Sequence, residues 1–186
     1  MLVSFFINDE YVSEDVRPDM RLLDFLRMRG LKSVKCGCET TNCGLCTVWL
    51  DDVPVLSCAV LMCRVGGRRV TTLEGLIAES AEFATCMAEE GAEQCGFCTP
   101  GLIMNVLALK RDNPDASDEE IRRVLSGNLC RCTGYSSQMR AVRRFLGRAT
   151  VAEGGVAHAS VASVPAPGDR LAARIAADDN AEEVRA

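Results

Sequence analysis

Alternating apolar and polar positions in the first part of the chain predict two short hairpins. Residues 2–7 form the first predicted strand, Asn8-Asp9 the turn, and the return strand begins near Tyr11. The apolar stretches on either side of Asp51-Asp52 form a second predicted pair of strands. This part of the chain therefore predicts a small sheet.

One helix and one further hairpin complete the expected first domain. The helix covers about residues 20–29; Asp19 is its predicted N-cap, and Gly30 is placed to end it. Gly66-Gly67 predicts the further hairpin, because paired glycines favour tight turns. We therefore expect an α+β domain over residues 1–72.

From Leu73 onward the apolar positions follow a helical period. The predicted helical segments cover about residues 73–90, 100–111, 118–126 and 136–148. The core candidates of the first segment are Leu73, Leu76, Ile77 and Phe83. The segment 100–111 is apolar nearly all round, which predicts that it is buried. A helical domain over residues 73–148 is the expected second half of the fold.

Capping residues mark the ends of these helices. Thr99 is the predicted N-cap of the buried helix, with Pro100 at its first position and Asn113-Pro114 beyond its end. Ser117 and Glu120 have the spacing of a capping box. These signals divide the second half into separate helices joined by loops.

Residues 149–186 differ in composition from the rest of the chain. They are rich in alanine, valine, glycine and proline and contain no aromatic residue. This composition predicts a disordered or partner-wrapping tail. A short helix around 169–178 is the alternative.

Composition limits the possible partners. The net charge of −5 and the lack of a Lys/Arg-rich run argue against nucleic acid. The apolar stretches are too short to span a membrane. The N-terminus shows none of the features of a secretory leader, so we expect a cytoplasmic protein.

Cysteine is abundant, with 11 in 186 residues, whereas His158 is the only histidine. A disulfide framework is one interpretation of so many cysteines, but an odd number in a cytoplasmic chain favours metal or redox chemistry. The lack of histidine argues against Rieske ligation and against histidine-dependent nucleophiles.

The first cysteine set has the spacing of plant-type 2Fe–2S proteins, Cys-x4-Cys-x2-Cys with a distant fourth cysteine. Its members are Cys38, Cys43, Cys46 and Cys58. Gly37 and Gly44 would permit unusual dihedral angles and a close approach of the backbone to the metal. A four-cysteine zinc site is the alternative, although structural zinc prefers two Cys-x2-Cys pairs.

The second set combines a Cys-x2-Cys pair with a Cys-x-Cys pair. Its members are Cys95, Cys98, Cys130 and Cys132. Taken alone, this spacing fits zinc, a redox dithiol or an iron–sulfur cluster. Cys36, Cys63 and Cys86 remain, and we predict that they are small buried apolar residues. Cys36 is the exception, because it lies close enough to Cys38 to exchange with it as a ligand.

With both sets in view, the sequence resembles the small iron–sulfur subunit of the molybdenum hydroxylases, the family of xanthine dehydrogenase, aldehyde oxidoreductase and aerobic carbon monoxide dehydrogenase. The resemblance covers about residues 2–148. It is carried by Gly37-Cys38-Glu39-Thr40, Cys43-Gly44-Leu45-Cys46-Thr47-Val48, Gln94-Cys95-Gly96-Phe97-Cys98-Thr99-Pro100-Gly101 and Asn128-Leu129-Cys130-Arg131-Cys132-Thr133-Gly134-Tyr135.

The resemblance implies a β-grasp ferredoxin-like domain followed by a four-helix-bundle domain, each holding one 2Fe–2S cluster. It implies that Gln94 hydrogen-bonds molybdopterin and that Cys132 is the ligand nearest to it. The implied partners are a large molybdopterin-binding subunit and a medium FAD-binding subunit, with a dimer of such heterotrimers as a further level of assembly. Electrons would pass from molybdenum through the helical cluster and the ferredoxin-like cluster to FAD, with no substrate chemistry on this chain.

Two positions depart from the family pattern. Leu45 stands where many members have alanine, and Thr41-Asn42 replaces a pair that commonly contains glycine. We expect these changes to alter amide contacts at the first cluster without altering its ligands. A free-standing two-cluster ferredoxin and a zinc-stabilised interaction module remain the competing interpretations. Gln94 disfavours the former and the plant-type spacing disfavours the latter.

Overall fold

The computed structural model describes residues 1–148, so the predicted tail and its alternative helix lie outside the described residues. Five strands and five α-helices make up the described part of the chain. The strands are β1 (Leu2–Ile7), β2 (Glu10–Asp15), β3 (Thr47–Leu50), β4 (Val53–Leu56) and β5 (Arg69–Thr71). The helices are α1 (Leu22–Met28), α2 (Ile77–Glu89), α3 (Thr99–Asp112), α4 (Asp118–Ser126) and α5 (Ser136–Phe145).

The strands form one sheet in the order β2-β1-β5-β3-β4. The predicted turns close both hairpins: Asn8 and Asp9 have φ of 48° and 68°, and Asp51 and Asp52 have φ of 50° and 64°. Consecutive left-handed residues of this kind give the tight turns that suit the twist of paired strands.

The hairpin predicted at Gly66-Gly67 is wrong. Met62–Arg64 forms a short 3₁₀ turn, and β5 enters the middle of the sheet, parallel to β1 and antiparallel to β3. Gly67 has φ of 74°, and its amide donates to the Ser4 carbonyl oxygen at 2.8 Å. The glycine pair therefore places the chain beside β1 instead of folding it back on itself.

Helix α1 confirms the predicted stop and corrects the predicted start. Gly30 has φ of 88°, and the Leu31 amide reaches back to the Leu26 carbonyl oxygen at 3.1 Å, which closes the helix end. Asp19 does not cap the helix, because its carboxylate pairs with Arg17 at 2.6 Å.

The predicted ends of the later helices differ in accuracy. The capping box of Ser117 and Glu120 is present as predicted. Helix α3 starts one residue earlier than predicted, with Cys98 at the N-cap and Thr99 inside the helix. Ile77 is 70% exposed and is not a core residue, because it opens α2 on the solvent side while Leu76 is buried.

Two apolar cores lie within one compact unit. The core of the sheet joins β1 and β3 to α1 and includes Phe5, Leu22 and Leu26. The core of the helices includes Phe83 and Phe145, whose ring centroids are 5.0 Å apart. No helix in residues 1–148 combines the length and apolar character needed to cross a membrane.

Trp49 connects the two cores. It lies on β3, yet its ring is buried in the core of the helices, and its Nε1 donates to the Met104 carbonyl oxygen of α3 at 2.9 Å. The Arg111 guanidinium lies 4.7 Å from the centre of the indole ring. The sheet and the helices are therefore fastened together at β3.

Candidate metal centres

The first cysteine set lies on the loop between α1 and β3, with Cys58 in the 3₁₀ turn after β4. The loop backbone turns sharply, because Glu39, Thr41 and Gly44 all have positive φ, of 56°, 60° and 73°. Gly37 serves differently: a Cβ there would lie 2.6 Å from Leu45 Cδ1 and 3.1 Å from the Cys43 sulfur. The loop therefore needs Gly44 for its left-handed conformation and Gly37 for the space next to Leu45 and Cys43.

Backbone amides point at the sulfur of Cys38. The amides of Thr40 and Cys43 each donate to Cys38 Sγ at 3.4 Å. These bonds, with a further contribution from the Asn42 amide, lower the pKa of Cys38 to about 6. Burial next to Cys46 raises the pKa of Cys58 to about 12. The first cysteine set thus contains one thiol that ionises readily, Cys38, and one that needs a metal to displace its proton, Cys58.

The second cysteine set joins two loops at one end of the helices. Cys95 and Cys98 precede α3, and Cys130 and Cys132 lie between α4 and α5. Cys95 and Cys132 are exposed, and their sulfurs are 3.5 Å apart. Cys98 and Cys130 are buried. We call these the outer pair and the inner pair.

The inner pair is surrounded by hydrogen-bond donors. Burial raises the pKa of Cys98 to about 11. Burial also acts on Cys130, but the Thr133 amide, at 3.5 Å, and the Thr133 hydroxyl, at 3.1 Å, overcome it and lower the pKa of that thiol. Thr133 therefore favours the thiolate form that a metal needs.

Each predicted set supplies the four thiolates that a 2Fe–2S cluster needs. No three His, Cys, Asp or Glu side chains in residues 1–148 converge as ligands of one metal ion do. In a 2Fe–2S cluster each iron takes two thiolates, and bridging sulfides fill its other positions. A tetrahedral metal with thiolates at about 2.3 Å has about 3.8 Å between sulfurs, close to the spacing of the outer pair.

The two cysteine sets meet at their loops. Cys43 of the first set and the nearby Leu45 pack with the inner pair in one apolar cluster. The Leu129 amide donates to the Cys43 carbonyl oxygen at 2.7 Å, and Leu129 directly precedes Cys130. A hydrogen bond therefore connects Cys43, a predicted ligand of the first set, to the residue that precedes Cys130, a predicted ligand of the second.

Glycines allow this approach. A Cβ on Gly44 would lie 1.8 Å from the Gly127 carbonyl oxygen, and one on Gly101 would lie 2.8 Å from the Gly44 carbonyl oxygen. Leu45 packs with Cys98 and Cys130 of the second set and is buried.

The outer pair faces solvent beside the predicted molybdopterin contact. Gln94 is exposed, and its Nε2 donates to the Cys132 carbonyl oxygen at 3.3 Å. Two large apolar side chains are exposed in the same loops, Phe97 at 45% and Leu129 at 54%. The structure thus brings Gln94 and Cys132 together on a partly apolar surface.

The three remaining cysteines behave differently from one another. Cys86 is buried, as predicted. The prediction for Cys63 is wrong: this thiol is exposed, because Met62 takes the core position in their shared 3₁₀ turn. Cys36 is half-buried, with its sulfur 3.9 Å from a Glu39 carboxylate oxygen.

Sequence reasoning missed two buried amides beside the inner pair. Asn128 Nδ2 donates to the Cys98 carbonyl oxygen at 3.4 Å, and Gln138 Nε2 donates to the Cys98 sulfur at 3.8 Å. Both side chains are fully buried. The one sequence feature that could have predicted a buried amide here is the polar Gln138 next to Met139 in a short amphipathic helix.

Comparison with known protein families defines the class. The family of 2Fe–2S iron–sulfur cluster binding domains matches residues 5–67, and a second 2Fe–2S binding domain family matches residues 72–143. The chain is therefore an iron–sulfur protein with two 2Fe–2S-binding domains.

Individual relatives narrow the class. The chain is 46% identical to the nicotinate dehydrogenase small FeS subunit of Eubacterium barkeri, with 76% of this chain and 92% of that subunit covered. It is 38% identical to aldehyde oxidase 2 of Cavia porcellus over 76% of this chain, but spans 12% of that enzyme. The solved quinoline 2-oxidoreductase of Pseudomonas putida 86 matches with a TM-score of 0.70 and 38% identity, covering 76% of this chain and 90% of the matched chain.

The chain belongs to the family of the small 2Fe–2S subunits of the molybdenum hydroxylases. It is accordingly an electron-transfer subunit of a molybdenum-containing oxidoreductase.

Proposed function

We propose that this chain relays electrons between molybdopterin on a large partner subunit and FAD on a medium partner subunit. The first cluster would be held by Cys38, Cys43, Cys46 and Cys58, and the second by Cys95, Cys98, Cys130 and Cys132. A 2Fe–2S cluster held by four thiolates accepts one electron and releases it again without proton transfer or bond breakage.

The observation that carries this proposal is the contact between the two cysteine sets. The inner pair packs against Cys43, and the Leu129–Cys43 hydrogen bond links the two loops at 2.7 Å. Electron transfer needs short, well-coupled separations, and an isolated structural metal site would not require this contact. This contact supports the proposal that the two clusters are consecutive steps of one electron-transfer route.

The outer pair supports the proposed order of transfer. Cys132 is exposed, and Gln94 lies against its carbonyl group, so both can meet molybdopterin on a partner. Exposed Phe97 and Leu129 give that partner an apolar surface to cover. Electrons would enter at the outer pair, leave through the inner pair towards Cys43, and continue from the first cluster to FAD.

We also propose the finer architecture that the family suggests. The sheet and α1 would form a β-grasp ferredoxin-like domain ending near residue 72, and α2 to α5 a four-helix domain over 73–148. The separate cores of the sheet and the helices support this division. A cytoplasmic location is supported by the 11 cysteines, all of which are free thiols.

The experiment is purification from the source cell through a tag on this chain. Co-purification of a large molybdenum-containing chain and a flavin-containing chain, with two distinct paramagnetic signals after reduction, is the expected result. A chain that elutes alone with iron and sulfide would be a free carrier. A colourless chain containing zinc would overturn both the relay and the cluster assignment.

A further inference from the structure

We propose that Gln138 donates a hydrogen bond to the thiolate of Cys98 and thereby raises the reduction potential of the cluster held by the helices. Gln138 would then be a positioning residue that tunes the relay without being a ligand. The inference rests on the proposed function, since it needs a cluster at the second cysteine set.

The position of Gln138 is the first observation. It lies in the first turn of α5, is fully buried, and holds Nε2 at 3.8 Å from the Cys98 sulfur, a separation that the large sulfur atom accommodates. Its amide oxygen has no hydrogen-bond partner among the described residues. Turning the amide around would place that oxygen against the sulfur, so donation from Nε2 is the favourable orientation.

The unpaired amide oxygen is the second observation. Burying an acceptor without a donor lowers the stability of the fold, and a methionine of similar shape would avoid that loss. Met139 beside it shows that this part of α5 accommodates an apolar side chain in the core. The hydrogen bond from Nε2 to the Cys98 sulfur is the stabilising contact that offsets burial of this amide.

Electrostatics gives the direction of the effect. Reduction adds one electron, and part of its charge resides on the thiolates. A donor held in a buried, low-dielectric site stabilises the more negative state more strongly than the less negative one. Hydrogen bonds to ligand sulfurs are among the factors that set iron–sulfur potentials. The Gln138 bond therefore makes the helical cluster easier to reduce.

The bond acts on the inner pair in particular. The Thr133 amide donates to the Cys130 sulfur and Gln138 to the Cys98 sulfur, so both buried sulfurs accept a hydrogen bond. These sulfurs pack against Cys43 of the first set. Charge stabilised there lies on the side of the helical cluster from which an electron leaves for the first cluster.

The test is a redox titration of the complete enzyme carrying Gln138→Met, followed by electron paramagnetic resonance of each cluster. We expect the reduction equilibrium of the helical cluster to become about tenfold less favourable, a shift of about −59 mV for one electron. The first cluster is the internal reference and should not shift. Met139→Leu, a neighbouring core change that keeps the amide, should leave both potentials at their wild-type values.

An unchanged potential of the helical cluster in Gln138→Met, with both signals present, would overturn the inference. The lack of two cluster signals in the wild-type enzyme would instead overturn the proposed function.

A second measurement covers the case in which Gln138→Met fails to assemble. The chain has two glutamines, Gln94 and Gln138, so Gln94→Asn leaves Gln138 as the one glutamine. In that variant, with ¹⁵N in the glutamine side chain, pulsed resonance of the reduced helical cluster should show coupling to ¹⁵N. A spectrum without that coupling would overturn the hydrogen bond.

Discussion

At the residue scale, Cys38 is prepared for metal before any metal binds. Amide donors lower its pKa to about 6, whereas the pKa of an ordinary cysteine is about 8.5. Because the pKa of Cys38 is lower in the folded chain than in the unfolded chain, its thiolate stabilises the fold at pH values above the ordinary cysteine pKa. That stabilisation is lost as the pH falls through about 6.

Alkylation of the iron-free chain measures this property. We expect the rate at which iodoacetamide alkylates Cys38 to rise around pH 6 and to become constant at a pH below the pKa of an ordinary cysteine. Cys58 is the control, since its pKa of about 12 keeps it protonated over the same range. A Cys38 rate that rises only above pH 8 would contradict the amide contacts.

Ligand loss at the second set should be local. In Cys132→Ser we expect the paramagnetic signal of the helical cluster to disappear and that of the first cluster to remain, because Cys132 lies between α4 and α5, outside the segments that carry the first set. The matched control is Cys63→Ser, an exposed thiol outside both sets, which should retain both signals. Simultaneous loss of both clusters would contradict the division into two sites.

The sequence predicts the cysteine sets because their spacing along the chain is itself the constraint. It does not predict Gln138 as a partner of Cys98, because these residues are 40 positions apart and meet only when α5 packs beside the start of α3. Leu45 illustrates the same limit: its side chain packs against Cys98 and Cys130, which are distant in sequence, as well as against the neighbouring Cys43.

At the scale of the element, Gly44 in the loop of the first cysteine set allows the two cysteine loops to lie close together. Alanine at Gly44 must adopt φ of 73° and place its Cβ 1.8 Å from the Gly127 carbonyl oxygen. Alanine at Gly67 must adopt φ of 74° and meets nothing within 4 Å. Both substitutions therefore force alanine into a left-handed backbone conformation, but only Gly44→Ala also creates a steric clash.

We expect Gly67→Ala to lower the free energy of unfolding by about 1 kcal/mol and Gly44→Ala by at least about 2 kcal/mol more. Urea unfolding of the cluster-loaded chain gives both values. The magnetic coupling between the clusters should weaken in Gly44→Ala alone. Equal losses of stability in the two variants would show that the loops do not need this contact.

Local chemistry explains which elements the sequence predicts. The turn at Asp51-Asp52 and the capping box of Ser117 are encoded within a few residues, and both are present. The position of β5 is not local, because its neighbours β1 and β3 are distant in sequence. The Asp19 carboxylate could cap the helix or pair with the guanidinium of Arg17 two residues away, and it pairs with Arg17.

At the scale of the whole molecule, Trp49 holds the sheet against the helices. We expect Trp49→Ala to lower the free energy of unfolding by about 3–5 kcal/mol, because it removes a buried indole and its bond to the Met104 carbonyl group. With this connection lost, denaturant should unfold the sheet and the helices in separate transitions. The control Trp49→Phe keeps a ring and should lose about 1 kcal/mol in a single transition. Unchanged stability in Trp49→Ala would contradict the role.

The change from strand-like to helical periodicity near Leu73 predicts the two-part architecture, but not the contact between the parts. In the sequence Trp49 is one more apolar residue of a hairpin strand. Its burial depends on α3 lying across β3, and no feature near residue 49 specifies that arrangement.

Trp49 is also the only tryptophan of the chain. Ultraviolet light absorbed by indole in this protein is therefore absorbed at one place, where a sheet residue lies inside the core of the helices. An indole that moves from an apolar core into water emits at longer wavelength. The wavelength of maximum fluorescence emission should therefore report whether the sheet and the helices remain in contact, even while each retains its own secondary structure.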